Sequence, residues 1–264
     1  MAARTLTATV LGSGTSSGVP VIGCECPVCT SPDPRDSRLR ASLLLHDGDI
    51  GVLVDCGPDF RQQALVHRIA RIDAILLTHA HSDHISGLDD VRGYNWHQGQ
   101  SMPVFGSEKT LEGVRRRFDY IFEPRQQGGG LPQLDLERIG EEPFPVAGLR
   151  VVPLPVWHGE MPVLGFRFGD FAYVTDASRI PEETLERMRG VRFLILNALR
   201  HRPHPTHLTV EQAVEMTRRI GAERAWFTHI THDLGHEATN RELPEGMELA
   251  WDGLQFEVEA EVGE

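Results

Sequence analysis

Three histidines and an aspartate fall within six positions, at His79, His81, Asp83 and His84. Neutral imidazole and carboxylate are the usual ligands of zinc and similar divalent ions. A lone histidine would read as a surface residue, whereas four ligand-type side chains at this spacing read as a metal site. A second concentration of ligand atoms is Cys24-Glu25-Cys26-Pro27-Val28-Cys29. Thiols this close in sequence would make strained disulfide partners. The C-x-C-x-x-C run beside Gly23 and Pro27 reads instead as three thiolates of a structural zinc that takes its fourth ligand from elsewhere. A redox-active thiol set is the competing reading. Cys56, in Val54-Asp55-Cys56-Gly57, reads as a small buried filler.

These groups need rigid carriers. The apolar run Ala74-Ile75-Leu76-Leu77 directly before the histidine cluster reads as a short buried strand, and a strand end is a rigid place for ligands. Thr5 to Leu11 alternate as a first strand. Gly12-Ser13-Gly14-Thr15-Ser16-Ser17-Gly18 follows it and can either cradle a phosphate with backbone amides or form a tight structural turn. It is neither a Walker A loop nor a dinucleotide fingerprint. Ala41–Leu45 and Gly51–Val54 read as strands, and residues 59–69 have helical spacing. A helix is expected after His84, a strand at Pro103-Val104-Phe105, a helix at 107–119 and a loop at 124–132. Strand-rich sequence follows over 134–156, then a hairpin at Val163–Phe168 and Phe171–Thr175. Helix 182–189, strand 192–197 and strand 224–227 come next, with a final strand pair near Leu249 and Leu254-Gln255-Phe256. Between them, Arg200-His201-Arg202-Pro203-His204-Pro205-Thr206-His207 is a proline-stiffened loop. It runs into the capping box Thr209-Val210-Glu211-Gln212 of a helix at 210–220. A histidine held near that positive helix end can face a phosphate or a leaving group.

The chain has 264 residues, 40% hydrophobic and 24% charged, the composition of a globular protein with a full core. We expect one domain over residues 1–264, with a zinc loop at about 20–40, since α/β folds of this length often form a single unit. No apolar run approaches the roughly 20 residues of a membrane helix. The N-terminus runs straight into a strand, so no signal peptide and a cytoplasmic location are expected. A formal net charge of −12 weighs against nucleic acid and anionic membranes as partners. Thirteen histidines suit metal chemistry.

His79-Ala80-His81-Ser82-Asp83-His84 matches the H-x-H-x-D-H signature, and the chain resembles the metallo-β-lactamase superfamily. The resemblance implies an αβ/βα sandwich, an α/β fold of two facing mixed sheets flanked by helices. It also implies a dinuclear site: His79, His81 and His158 on one metal, Asp83, His84 and His229 on the second, and Asp176 bridging them. Asp55 falls where the family keeps a carboxylate behind the ligands, although a plain turn aspartate reads nearly as well. Within the superfamily the chain is similar to the PhnP-like phosphoribosyl cyclic phosphodiesterases. Gly23-Cys24-Glu25-Cys26-Pro27-Val28-Cys29, His229-Ile230-Thr231-His232 and Pro205-Thr206-His207 carry that likeness.

This closer resemblance implies that His232 completes the structural zinc with Cys24, Cys26 and Cys29. It makes His207 a catalytic histidine outside the metal shell, with His201, His204 and His236 as alternative proton donors. It implies a homodimer, and active-site metals drawn from manganese, zinc, nickel or iron. The expected reaction is hydrolysis of a small, cyclic phosphoribosyl-type phosphodiester by a hydroxide between the metals, with Asp83 aligning the water. Rival expectations are a thioester, lactone or lactam hydrolase, a nuclease for small nucleic-acid ends, and a zinc-stabilised binding or redox module. His236-Glu237-Ala238-Thr239 spells a motif of the long-arm tRNA-processing relatives. It stands after the last ligand rather than before it and is read as coincidence.

Overall fold

The computed structural model describes residues 3–123 and 130–263. Two seven-stranded sheets face each other. The first contains β1 (Ala3–Gly12), β2 (Ser42–His46), β3 (Gly51–Val54), β4 (Ala74–Leu76), β5 (Met102–Gly106) and β6 (Leu134–Arg138). The second contains β7 (Phe144–Val146), β8 (Leu149–His158), β9 (Met161–Phe168), β10 (Phe171–Val174), β11 (Phe193–Asn197), β12 (Arg224–Thr228) and β13 (Met247–Leu249). The last strand, β14 (Gln255–Glu261), returns to pair antiparallel with β1 in the first sheet. Each sheet has a parallel half, β3 to β6 in one and β10 to β13 in the other.

Helices cover the outer faces, and the sequence shows why. Strands buried on both faces read as continuous apolar runs rather than alternating ones. In the run 74–77, Ala74 and Leu76 point between the sheets and Ile75 and Leu77 point outward. The middle layer packs Leu6, Val10, Leu43, Val52 and Leu76 against Val151, Phe166, Phe168 and Tyr173. Each such side chain contributes about 1.5–3 kcal/mol by leaving water. On the first sheet's outer face lie α1 (Phe60–Val66), α2 (Ser82–Ile85), α3 (Arg92–Gln98), α4 (Glu108–Arg117) and α5 (Asp119–Phe122). On the second lie α6 (Glu182–Arg187) and α7 (Val210–Ile220), and α8 (His236–Asn240) packs beside β13. Helix α7 starts with the Thr209–Gln212 capping box and ends at Gly221 in the left-handed conformation.

Two expectations change. The helix expected after His84 is instead the single turn α2, which already holds Asp83 and His84, then a 3-10 turn at Leu88–Val91 and α3. The final strands are not a pair: β13 joins β12 and β14 joins β1, because the chain crosses from one sheet to the other between them. Of the loop expected at 124–132, residues 124–129 lie outside the described residues. No helix among the described residues is long and apolar enough to cross a membrane.

Strands β3, β4, β8, β10 and β12 end at one rim of the sandwich, where parallel strands put their carboxyl ends and a crevice can form. Residues 55, 78–84, 158, 176 and 229 follow or close those strands.

Candidate metal centre

All seven expected ligands meet at this rim. His79, His81 and His158 form one group whose ligand atoms lie within 4.8 Å of one another, and Asp83, His84 and His229 form a second. Asp176 stands against both sets. Its Oδ2 is 3.2 Å from His84 Nε2, and its Oδ1 is 3.3 Å from His229 Nε2. Asp83 Oδ2 lies 3.3 Å from His84 Nε2 and 3.6 Å from His229 Nε2. Two ligand bonds of about 2.1 Å at a tetrahedral angle place donor atoms about 3.4 Å apart, so these separations fit shared divalent ions.

The tautomers fit as well. Asp55, fully buried at the end of β3, takes hydrogen bonds from the Thr78 amide (2.9 Å), the Thr78 hydroxyl (2.8 Å) and His84 Nδ1 (2.7 Å). With its hydroxyl proton on Asp55, Thr78 Oγ1 accepts from His79 Nδ1 at 3.0 Å. His158 Nδ1 donates to the carbonyls of Asp176 and Thr206, both at 2.9 Å. His79, His84 and His158 therefore each have Nδ1 engaged and Nε2 turned to the cluster, the arrangement that orients metal-ligating imidazoles. Among the described residues His84 Nε2 and His229 Nε2 are buried with no hydrogen-bond partner, which fits nitrogens that ligate a cation.

Charge points the same way. Burial alone would raise the carboxyl of Asp176, but His229 and His84 hold it well below its usual range. Burial opposes ionisation of Asp83 too, and the nearby His229 and His84 outweigh it, holding its carboxyl well below the usual carboxylate range. Burial would likewise lower His84, yet Asp55 and Asp176 push it well above the ordinary imidazole value. The pocket favours positive charge at that nitrogen. His79 and His81 are lowered by burial and stay neutral, the ligating form.

Asp55, Asp176 and His229 all have left-handed backbones, at φ of 62°, 58° and 58°. Such strain costs about 1–3 kcal/mol per residue and clusters at functional sites. Asn197, at the end of β11, holds Asp176 in place: its Oδ1 accepts from the Ala177 amide (2.7 Å) and its Nδ2 donates to the Ala177 carbonyl (2.9 Å). Asn197, Thr78 and Thr206 were missed as site residues from sequence. A polar residue closing the apolar run Phe193-Leu194-Ile195-Leu196 was the available signal for Asn197.

His207 comes closer than a bystander. Its Nε2 is 3.1 Å from Asp176 Oδ1, and with His158 and Asp176 it forms a further ligand group. Burial pushes it down to about 4, so the ring is neutral at pH 7. Nε2–H then donates to Asp176, and Nδ1 accepts from the Thr206 hydroxyl at 2.9 Å. The His204 ring lies tilted at 60° against His207, with ring centroids 5.0 Å apart. His201 instead is exposed and pairs with Glu211. His236 is buried against Arg38, Asn240 and Trp251, outside the ligand groups.

The glycine-rich loop does not present a phosphate cradle. The amides of Ser13, Gly14, Thr15 and Gly18 donate to Asp252, Leu39, Ile230 and Thr15 respectively, so the loop is a structural turn. Cys24, Cys26 and Cys29 converge on His232 Nδ1, with Sγ–N distances of 3.2, 3.4 and 3.4 Å. Donor atoms of a zinc with bonds of about 2.3 Å to sulfur and 2.0 Å to nitrogen stand close to this. The Cys29 amide donates to Cys26 Sγ and draws that thiol down to about 6, toward the thiolate a metal needs. Cys56 is fully buried as expected.

Two expected outcomes follow. Asp55→Asn removes the charge behind His84 and should weaken metal binding there by about 10–100-fold; competition with a chromogenic chelator measures it, and unchanged affinity would make Asp55 a plain turn residue. Cys24→Ser should lower zinc content by one equivalent and reduce thermal stability. Equal zinc in mutant and wild type, read by elemental analysis, would reject a metal at the thiols.

Comparison with known proteins agrees with this geometry. The family model for the β-lactamase superfamily domain matches residues 51–230. A crystal structure described as a new diphosphatase from the PhnP family is 46% identical, with a TM-score of 0.93, covering 99% of this chain and 100% of that one. A Porphyromonas gingivalis protein named octanoyltransferase is 42% identical over 93% of this chain, but the chain spans only 50% of that relative's length. Zinc-bound PqqB from Methylobacterium extorquens shares the fold, with a TM-score of 0.76 at 22% identity over 95% of this chain and 99% of that one.

Proposed function

The chain belongs to the metallo-β-lactamase superfamily, in its PhnP-like branch, and from that premise we propose that it hydrolyses a small phosphodiester at a two-metal centre. The observation that carries the proposal is Asp176, within 3.3 Å of ligand nitrogens of His84 and His229 and 3.1 Å from His207 Nε2. Divalent ions bound there would lower the pKa of a water toward neutrality and offset charge on the non-bridging phosphoryl oxygens. The ligands are His79, His81 and His158, then Asp83, His84 and His229, with Asp176 shared.

The chain's own residues supply placement and one proton position. Asp55 and Thr78 fix the rings of His84 and His79. The Asp176 and Thr206 carbonyls fix His158. Asp83 is placed to align the attacking water as well as to ligate. His207, a neutral ring with its proton on Nε2, can donate that hydrogen bond to a leaving oxygen as it departs. His207 shares its loop with Arg200 and His204, which supports an anionic phosphoryl substrate over a thioester or lactone. The structural zinc is proposed at Cys24, Cys26, Cys29 and His232.

A phosphoanhydride is the second reading, favoured by the 46%-identical relative described as a diphosphatase. The name octanoyltransferase belongs to a relative of which this chain matches 50%, and it is not transferred.

Phosphorus NMR of manganese-loaded protein with 5-phosphoribosyl 1,2-cyclic phosphate, and separately with an organic diphosphate, tests both. Ring opening to a bisphosphate supports the phosphodiester reading. Cleavage of the anhydride alone supports the second. Neither reaction rejects phosphoryl chemistry and moves the search to thioesters.

A further inference from the structure

Next to the segment carrying His229 lies a guanidinium with no part in the chemistry above. Arg38 is 1% exposed and heads the largest fully buried side chains among the described residues. Its Nη1 donates to Ser13 Oγ at 3.0 Å and to the Ala250 carbonyl, and its Nη2 donates to His236 Nδ1 at 3.2 Å. Among the described residues its Nε has no hydrogen-bond partner. Burial pushes it down only to about 10, so it stays a cation at neutral pH. A buried cation with an unanswered N–H is costly and calls for a reason.

What Arg38 holds is the frame around His229. Ser13 is locked between Arg38 and Asp252, whose Oδ1 accepts from both the Ser13 hydroxyl (2.8 Å) and the Ser13 amide (2.9 Å). The Ser13 carbonyl accepts from the Ile230 amide at 3.0 Å, and the Thr15 amide donates back to the Ile230 carbonyl at 3.0 Å. The residue directly after His229 is thus gripped by the segment Arg38 fixes. Downstream, His236 is tied to the same guanidinium, and its amide donates to Asp36 at 2.7 Å. One side chain therefore clamps both ends of the stretch 230–236.

His229 needs such a frame. It sits at φ 58°, which costs a non-glycine residue about 1–2 kcal/mol. Neither of its ring nitrogens has a hydrogen-bond partner. Among the described residues its ring is aimed by the backbone, by stacking against His84 and His207 at centroid distances of 5.9 and 4.9 Å, and by the facing carboxylates of Asp176 and Asp83.

We propose that Arg38 is a positioning residue for the metal position formed by Asp83, His84 and His229, setting the aim of His229 through Ser13 and Ile230. The group His79, His81 and His158 receives no contact from this frame, so the effect is confined to one of the two ions. The inference rests on reading the cluster as a two-metal centre.

Cobalt titration with chelator competition tests it in the full-length protein. Thiolate-to-cobalt charge-transfer absorption reports the cysteine group, and ligand-field bands report the histidine–aspartate ions. In wild type, two ions beyond the thiolate-bound one are expected; fewer would overturn the two-metal reading itself. In Arg38→Met, one of those two ions should lose affinity by at least tenfold, with the other unchanged. Arg38→Lys, which keeps the charge but not the three-way reach, should fall between. Wild-type affinity for both ions in folded Arg38→Met overturns the proposal, as does a parallel weakening of both. Ser13→Ala, which leaves Arg38 in place, is read in the same way if Arg38→Met does not fold, with a smaller loss at the same ion expected and no loss overturning the proposal.

Discussion

Asp176→Ala should abolish turnover and strip at least one divalent ion from the rim. Its carboxylate faces both ligand groups, so its removal costs a shared ligand and the negative charge that favours cations beside His84 and His229. Loss of one preorganised electrostatic contact costs on the order of 10²–10³ in rate, and Asp176 supplies more than one such contact, so about 10³-fold or more is expected. Elemental analysis after dialysis, beside the phosphorus NMR rate, measures both losses. Activity within about tenfold of wild type, with full metal content, would leave Asp176 a structural residue. Asp176→Asn keeps the volume and the Thr175 contact at Oδ2 but not the charge, and should lose nearly as much.

His207→Ala should lower turnover by about 10²–10³-fold, the usual cost of removing one preorganised hydrogen-bond donor to a developing charge. Its metal content decides between two roles. Nε2 lies 3.1 Å from Asp176 Oδ1 and joins His158 and Asp176 in a potential ligand group. Unchanged metal with slow turnover makes it a donor to the leaving oxygen. Loss of metal makes it a ligand, and the hydrogen bond to the leaving oxygen must then come from elsewhere on the loop, where the His204 ring lies tilted against it.

The parts legible in the sequence were those whose meaning is local. His79 to His84 announce themselves because four ligand types stand on one short segment after an apolar run. Helix α7 was legible to its ends because a capping box and a glycine stop are written beside it. His158, Asp176 and His229 were found only by resemblance, since each is a single residue at a strand end with no local pattern. Long-range partnerships are harder to read: Asn197 was missed, and Asp55 was placed only by resemblance. Asn197 acts on Ala177, and Asp55 acts on Thr78 and His84, across the fold. The glycine-rich loop was ambiguous because a cradle and a tight turn share one composition. What separates them is where the amides go, and Asp252, Leu39 and Ile230 are far away in sequence. The strand-pair error near the C-terminus has the same origin: two short strands beside a turn look like a hairpin unless the sheets they join are known.

The proposed ligands are divided between the two sheets. His79, His81, Asp83 and His84 follow β4 in the first, while His158, Asp176 and His229 come from the second. Ions that bridge this division bind the docked sandwich and not its separated halves. Binding and docking are then one thermodynamic event. Free metal at a hundred times its dissociation constant adds about 2.7 kcal/mol per ion to the stability of the joined form. The melting temperature becomes a reading of the metal concentration around the protein, and a chelator acts on it as a denaturant aimed at a single seam.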